Sequence, residues 1–572
     1  MITKTEFGLS PAGIFVFLKE LSYSNKSMIN KILSHRAKSI SSAGFILTFA
    51  GLASSFLGLI RNRLLATNFG AGSQLDIYFT ALRIPSFIST VLITGAISVM
   101  IIPLFSECRM RSKEEGWNFV SAILNLFLVF LFVLSLILMV AAPWIIPSIA
   151  PGLKEVEQKT AILMMRIMLL NPIFLVLSTV LSGVLQYFHR FLITSLAPLV
   201  YNIGIILGII FLVPYCGLMG LAWGVVLGGF LHLTLQIPAL LSLGFRLNLK
   251  INWRYAQIKK SIKLAGPRAL GVIASQINLL VFTAVASTLA VGSIAVYNLA
   301  ADFSQALIRL IGASFATAAF PILSLSFARK RKDDFINSFQ KTFSQILFLI
   351  IPAGVLFFIL RAQLVRIILG AGQFGWRDTR LTAACLGVFA LGVFSQVLVT
   401  LISKAFGAFR DTKTPALINV FVILLGIGFA LLMVEGLKPG YPLQIWISNW
   451  LKLSGIADIR IIALPLAFSF SGIIQFFSLF YALQRKLKSI PFKKLTISAV
   501  KIFLSTLIMA GVTYFLLYKT ALIVDMETLL GLLKQTLIAG GGGVIVYILS
   551  SWVLRSSELK MIKKSLLAEF KK

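Results

Sequence analysis

The stretch IRNRLLATNFGAGSQLDIYF (Ile60–Phe79) decides how this chain is read. It joins two long apolar runs, AGFILTFAGLASSFLGLI ending at Ile60 and LITGAISVMIIPLF beginning at Leu92. A run of about 20 apolar residues spans the hydrocarbon layer as a helix, so Arg61, Arg63 and Asp76 stand where the chain enters or leaves a membrane. An unpaired charge at bilayer depth costs about 2.5–3.5 kcal/mol on insertion scales. Three such residues so close together need partners or a task.

The same pattern recurs along the whole chain. Of 572 residues, 58% are hydrophobic and only 13% are charged, against about 25% charged in ordinary soluble proteins. The fold class is an all-α polytopic membrane protein with about 14 transmembrane helices. A β-barrel would instead show short alternating segments. The separators ECRMRSKEEG, GFRLNLKINWRYAQIKK, ARKRKDD, AFRDTKT and LQRKLKSIPFKK all fall on one side if the helices alternate. The positive-inside rule then places that side and both termini in the cytoplasm. The loops NFGAGSQ, APGLKEVEQ, LGAGQFGWRD and Val434–Asp458 face outward, and Trp446 and Trp450 set the last of these at the interface.

The net charge of +34 follows from this topology and from anionic lipid headgroups, so membrane lipids are partners and nucleic acid is not. Residues 1–42 hold a basic, mildly amphipathic segment, read as lying on the cytoplasmic membrane surface or as a tail. Cys108, Cys216 and Cys385, and His35, His189 and His232, are dispersed. No metal or cofactor is expected from such spacing. No Walker A, HExxH or GxSxG motif occurs, so the chain is not read as an enzyme.

The chain also repeats itself. TGAISVMIIPLFSE (Thr94–Glu107) resembles IGASFATAAFPILSLS (Ile311–Ser326), and APG after the third helix resembles GAGQFG after the ninth. YFHRFLITSLAPLVYN resembles AFGAFRDTKTPALIN, each ending in Pro-x-x-x-Asn, at Pro198/Asn202 and Pro415/Asn419. The order is conserved between the halves at an offset of six helices, an even number. Two lobes of equal orientation follow, residues 43–247 and 248–488, related by a pseudo-two-fold axis along the membrane normal. Residues 489–555 add two helices, and 556–572 form a basic tail.

Such lobes usually enclose a cavity near mid-membrane. Arg61, Arg63, Arg83 and Arg268, with Asp302 and Gln276, are its candidate substrate-binding residues, together with Asp76. Asp302 and Arg309 share a helix face, and a cationic cavity suits phosphate or pyrophosphate. The plainer alternative makes the arginines snorkelling ends and Asp76 the N-cap of its own helix.

LGLIRNRLLATNFGAGSQLDIYFTALRIPSFISTVLITGAISVMIIPLFSE is similar to the opening signature of the MurJ (MviN) family, within the MOP exporter superfamily. GPRALGVIASQIN, AADFSQALIRLIGASFATAAFPILS and FRDTKTPALIN extend the resemblance through most of residues 43–555. It implies a lipid II flippase of the bacterial cytoplasmic membrane, working by alternating access in peptidoglycan synthesis, with lipid II or a similar polyprenyl-pyrophosphate-linked glycan as substrate. Cell-wall synthesis enzymes are candidate partners. Arg61 matches the family's helix-one arginine, and Asp76 matches the Asp after the FGAG turn. The chain departs at Ser54–Ser55, Asn62, Ser89–Thr90 and Thr94, where the family carries charges, and at Asp302–Phe303, where many members carry arginine. A flippase for another polyprenyl-linked glycan, a multidrug exporter and a non-transporting scaffold for cell-wall enzymes are the alternatives.

Overall fold

A computed structural model describes residues 40–248, 256–487 and 492–561. These residues form helices and connecting turns, with no strand among them. The long helices are α1 (Ile40–Phe69), α2 (Ser73–Thr90, continued through Val91–Ile97 into Ser98–Arg111), α3 (Lys113–Ile149) and α4 (Glu155–Met168 and Asn171–Tyr187). Next come α5 (Phe191–Leu207, extended through Gly208–Leu212), α6 (Met219–Thr234), α7 (Ala256–Ser287) and α8 (Ser293–Leu307, continued through Ile308–Ala313 into Ser314–Ala328). The rest are α9 (Lys332–Ile359), α10 (Trp376–Ala408), α11 (Lys413–Gly436), α12 (Ala463–Leu487), α13 (Phe492–Ala521) and α14 (Leu529–Val553).

Twelve helical spans among the described residues are long and apolar enough to cross a membrane. The expected count of about 14 rests in addition on α1 and α7, helices of 30 and 32 residues at the first and seventh positions. The basic N-terminal segment through residue 39 and the tail beyond residue 561 lie outside the described residues.

Local chemistry sets several boundaries. Ser112 opens α3 by accepting a hydrogen bond from the Glu115 backbone N–H, the Ser-x-x-Glu spacing of a capping box. Thr528 caps α14 in the same way through Gly531. α5 and α6 pack with little between them, because Gly204 meets Gly228 and Gly208 meets Gly224. Small residues at four-residue spacing let helix backbones approach closely in a membrane. Within Val434–Asp458 the chain folds into a short helix, Pro442–Leu451. Ile447 and Leu451 point inward, while Trp446 and Trp450 are exposed and stack at 6.1 Å.

The repeat read from the sequence extends to fine detail. Each half has a π-helical segment at its matching Gly-Ala, Val91–Ile97 around Gly95–Ala96 and Ile308–Ala313 around Gly312–Ala313. Pro103 and Pro321 follow inside the continuing helices. α1 packs on α5 as α7 packs on α11. The paired asparagines make matching bonds: the Asn202 amide donates to Ser54 on α1, and the Asn419 amide donates to Ser275 on α7. One hydrophobic core joins α1–α6 to the near ends of α8, α10 and α12. A second, separate core fills the opposite ends of α8–α10 and α12 and holds α13 and α14. The two halves therefore share a core at the Gly70/Gly292 end and have separate cores toward the basic loops.

Candidate functional site

The cavity between the halves begins beside Arg61. A space of about 480 Å³ is lined by Ser54, Ser55 and Gly58 of α1, Thr194, Pro198 and Asn202 of α5, and Asp302, Ala306 and Arg309 of α8. A smaller chamber of about 180 Å³ lies on the other side of Arg61, walled by Tyr78, Arg83, Tyr201 and Asn298. Both chambers include Arg61 and Asp302 in their walls.

Three helices hold the Arg61 guanidinium. Its Nη1 donates to Asn202 Oδ1 at 3.2 Å, Nη2 donates to Asn62 Oδ1 at 3.0 Å, and Nη2 lies 3.4 Å from Asp302 Oδ2. Asn62 also donates to Asp302 at 2.8 Å. Arg61 is 22% exposed and Asp302 is 40% exposed, so both reach the cavity. A guanidinium gripped mostly by neutral amide oxygens keeps its positive charge for an anion, and its planar fork matches phosphate oxygens. The sequence marked Asn62 as a departure from the family and Asn202 as a repeat position. Asn62 is the next residue in the chain, but the convergence of Asn202 and Asp302 on Arg61 has no local sequence signal, because they lie 141 and 241 residues away.

Arg83 stands in the second chamber. Its Nη2 donates to Asn298 Oδ1 at 2.7 Å, while its Nε is buried without a partner among the described residues. Arg268 lies on α7, but its side chain is outside the described residues. Gln276, also on α7, lines neither chamber, because that helix packs its length against α2 and α11 instead.

Arg63 is placed elsewhere than expected. Two residues correspond to about 200° around a helix, and Arg63 accordingly points away from Arg61. Its Nη1 donates to the carbonyls of Ile367 and Ile368 at 2.5 and 3.4 Å, the last turn of the short helix Arg361–Leu369. A cation at a helix C-terminus satisfies orphan carbonyls and complements the dipole, contributing about 1 kcal/mol. Arg63→Ala is expected to lower the melting temperature of the detergent-solubilised protein modestly while leaving transport intact. Loss of transport at an unchanged melting temperature would contradict this role.

Asp76 is neither in the cavity nor the cap of its own helix. That cap is Gly72, with no side-chain bond. Asp76 instead caps α8, across the interface between the halves: Oδ2 accepts from the Gly292 N–H at 2.6 Å and Oδ1 from the Ala295 N–H at 2.8 Å. Gly292 adopts φ +89°, and a Cβ there would overlap the Ala71 carbonyl oxygen, so glycine is required for this approach. Further bonds tie the halves at the same end. The Gly152 N–H donates to Ser287 Oγ at 3.1 Å, and the Gln373 N–H donates to the Thr67 carbonyl at 3.0 Å. Asp378 accepts from the Ala71 N–H at 3.1 Å. The first two are related by the repeat, loop 3–4 to the end of α7 and loop 9–10 to the end of α1. The site is thus a polar, partly cationic cavity sealed at one end by hydrogen bonds between the halves.

Comparison with known proteins bears on what such a cavity carries. The family model for the lipid II flippase MurJ matches residues 65–533. A probable lipid II flippase MurJ of Buchnera aphidicola subsp. Acyrthosiphon pisum is 27% identical over 407 residues, 70% of this chain and 80% of that protein. The lipid II flippase MurJ of Burkholderia cenocepacia is 26% identical over 390 residues, 66% of this chain and 76% of that protein. A solved structure of lipid II flippase MurJ in an inward closed conformation matches with a TM-score of 0.72 at 26% identity, covering 89% of this chain and 98% of that one. An inward-facing multidrug resistance MATE family transporter of the MOP superfamily shares the fold alone, with a TM-score of 0.62 at 15% identity over 78% of this chain and 99% of that one. With more than half of its length matched by the family model, the chain belongs to the lipid II flippase MurJ family.

Proposed function

We propose that this chain translocates lipid II across the bacterial cytoplasmic membrane by alternating access. The observation that carries this reading is the polar cavity beside Arg61, between two halves that are tied together by hydrogen bonds at the Gly70/Gly292 end. The pyrophosphate of the lipid pairs with Arg61, displacing Asp302 from the guanidinium. The sugar-peptide head occupies the wet space between the halves, and the polyprenyl tail stays in lipid. Residues 43–247 and 248–488 rock as two lobes, breaking the seal at Gly70 and Gly292 while closing the opposite end. No bond in the substrate is made or broken. The seal is a set of individually modest bonds, each contributing about 0.5–1.5 kcal/mol net and more for the charged Asp76, so a few kcal/mol of differential binding suffices to shift the two states.

The experiment is rescue of a bacterial strain depleted of its own lipid II flippase. Growth restored by this chain supports the reading, and lysis despite a correctly inserted protein overturns it. Asp302, standing where many family members carry arginine, favours one second reading: a related polyprenyl-pyrophosphate lipid whose head places a cation there. Binding of that lipid in preference to lipid II, reversed by Asp302→Asn, would select it.

In this reading the basic loops and both termini face the cytoplasm, as the positive-inside rule requires. Single cysteines placed in Gly440–Gln444 should be labelled from outside the cell, and cysteines in Lys330–Asp334 should not. The reverse pattern would invert the topology.

A further inference from the structure

We propose that the first half carries a binding site for an anionic phospholipid, one acyl chain filling a pocket between α3, α4 and α6 and the headgroup resting on Lys113 and Arg246. The pocket encloses about 220 Å³ and is almost wholly apolar, walled by Leu124, Leu177, Leu181, Leu233 and Phe245. It shares no lining residue with the two Arg61 chambers, and its occupant is therefore separate from the head of the transported lipid.

The pocket is built by a strap. After the short helix Ile237–Leu241 the chain turns at Gly244, φ +84°, and runs back along α3. There Asn125 donates to the Asn248 carbonyl at 2.7 Å, and the Asn248 N–H donates to Ser121 at 3.2 Å. Phe245 is pinned edge-on against Trp117 at 5.5 Å. The mouth is apolar and open, with Leu128, Leu241 and Leu247 more than two-fifths exposed.

The rim beside this mouth is basic. Lys113 Nζ approaches Gly244, and Arg246 follows two residues later on the exposed strap. Neither makes an ion pair among the described residues, whereas neighbouring Arg111 is already held by Glu107 and Glu115. Within a bilayer an apolar pocket does not by itself prefer one lipid over another, since the surrounding chains are equally apolar. Two uncommitted cations at the surface do prefer one: they select a negatively charged headgroup. Charge complementarity therefore names the ligand class, and the pocket fixes where its chain lies.

The test is native mass spectrometry of the full-length protein released from micelles containing phosphatidylglycerol or phosphatidylcholine. One phosphatidylglycerol should stay bound under activation that strips phosphatidylcholine. The double variant Lys113→Glu/Arg246→Glu should weaken its retention about tenfold or more at an unchanged melting temperature. Leu181→Trp, which fills the pocket and leaves the rim intact, should also release it. Equal retention of the two lipids, or undiminished retention by the double variant, would overturn the proposal. So would displacement of phosphatidylglycerol by polyprenyl phosphate at lower concentration than by phosphatidylglycerol itself, which would assign the pocket to the tail of the transported lipid.

Discussion

Arg61→Ala is expected to abolish lipid II translocation while leaving expression and membrane insertion intact. The guanidinium is the point where α1, α5 and α8 converge, and it faces both chambers. Charge-assisted hydrogen bonds contribute about 1.5–3 kcal/mol each, so removing even one bond to a pyrophosphate oxygen weakens binding about tenfold or more. Alanine would also leave Asp302 facing the cavity without its Arg61 partner, and its charge would repel phosphate. Arg61→Lys should be partly defective, because an ammonium supplies the charge and lacks the planar fork. The measurement is outer-face accessibility of lipid II at matched protein level. Normal accessibility with Arg61→Ala would reduce this residue to an interfacial anchor.

Asp76→Asn is expected to lower translocation by about tenfold or more, through the seal and not through substrate contact. Both carboxylate oxygens accept backbone N–H bonds at the start of α8, where the helix dipole favours negative charge. An asparagine side chain serves as well as aspartate at an ordinary N-cap, where one oxygen is needed. Here two N–H groups require two acceptors, and the amide NH2 would point a donor at one of them. The seal should open more readily, so a cysteine introduced at Ala71 should react faster from the outside in the variant. Wild-type transport together with unchanged cysteine reactivity would show that the charge at Asp76 is dispensable.

These two residues mark how far the sequence could be read. Apolar runs, basic separators and the Pro-x-x-x-Asn repeat are local or periodic signals, and they lead directly to the helix order and to two related halves. Arg61 was legible for the same reason, as a charge isolated at the end of an apolar run. Its 200° separation from Arg63 also follows from helix geometry alone. The partners of those charges were not legible. Asp76 meets backbone N–H groups 216 and 219 residues away, and a backbone N–H has no residue type to betray it. Arg63 meets carbonyls of a short helix, again groups every residue carries. Gln276 lines neither chamber beside Arg61, and periodicity could not say so, because it shows that a helix has a polar face and not which neighbour that face meets. The π-helical segments at Gly95 and Gly312 were likewise invisible as backbone geometry, although the repeated Gly-Ala that accompanies them was not.

We propose that the cavity at Arg61 carries the head of lipid II across the membrane. The most direct measurement is the exposure of lipid II at the outer face of cells depleted of their own flippase and supplied with this chain. Exposure should be restored by the unaltered chain and by Arg63→Ala, and should be absent with Arg61→Ala, all at equal amounts in the membrane. Lipid II that stays inaccessible with the unaltered chain correctly inserted, or exposure that persists with Arg61→Ala, would contradict it.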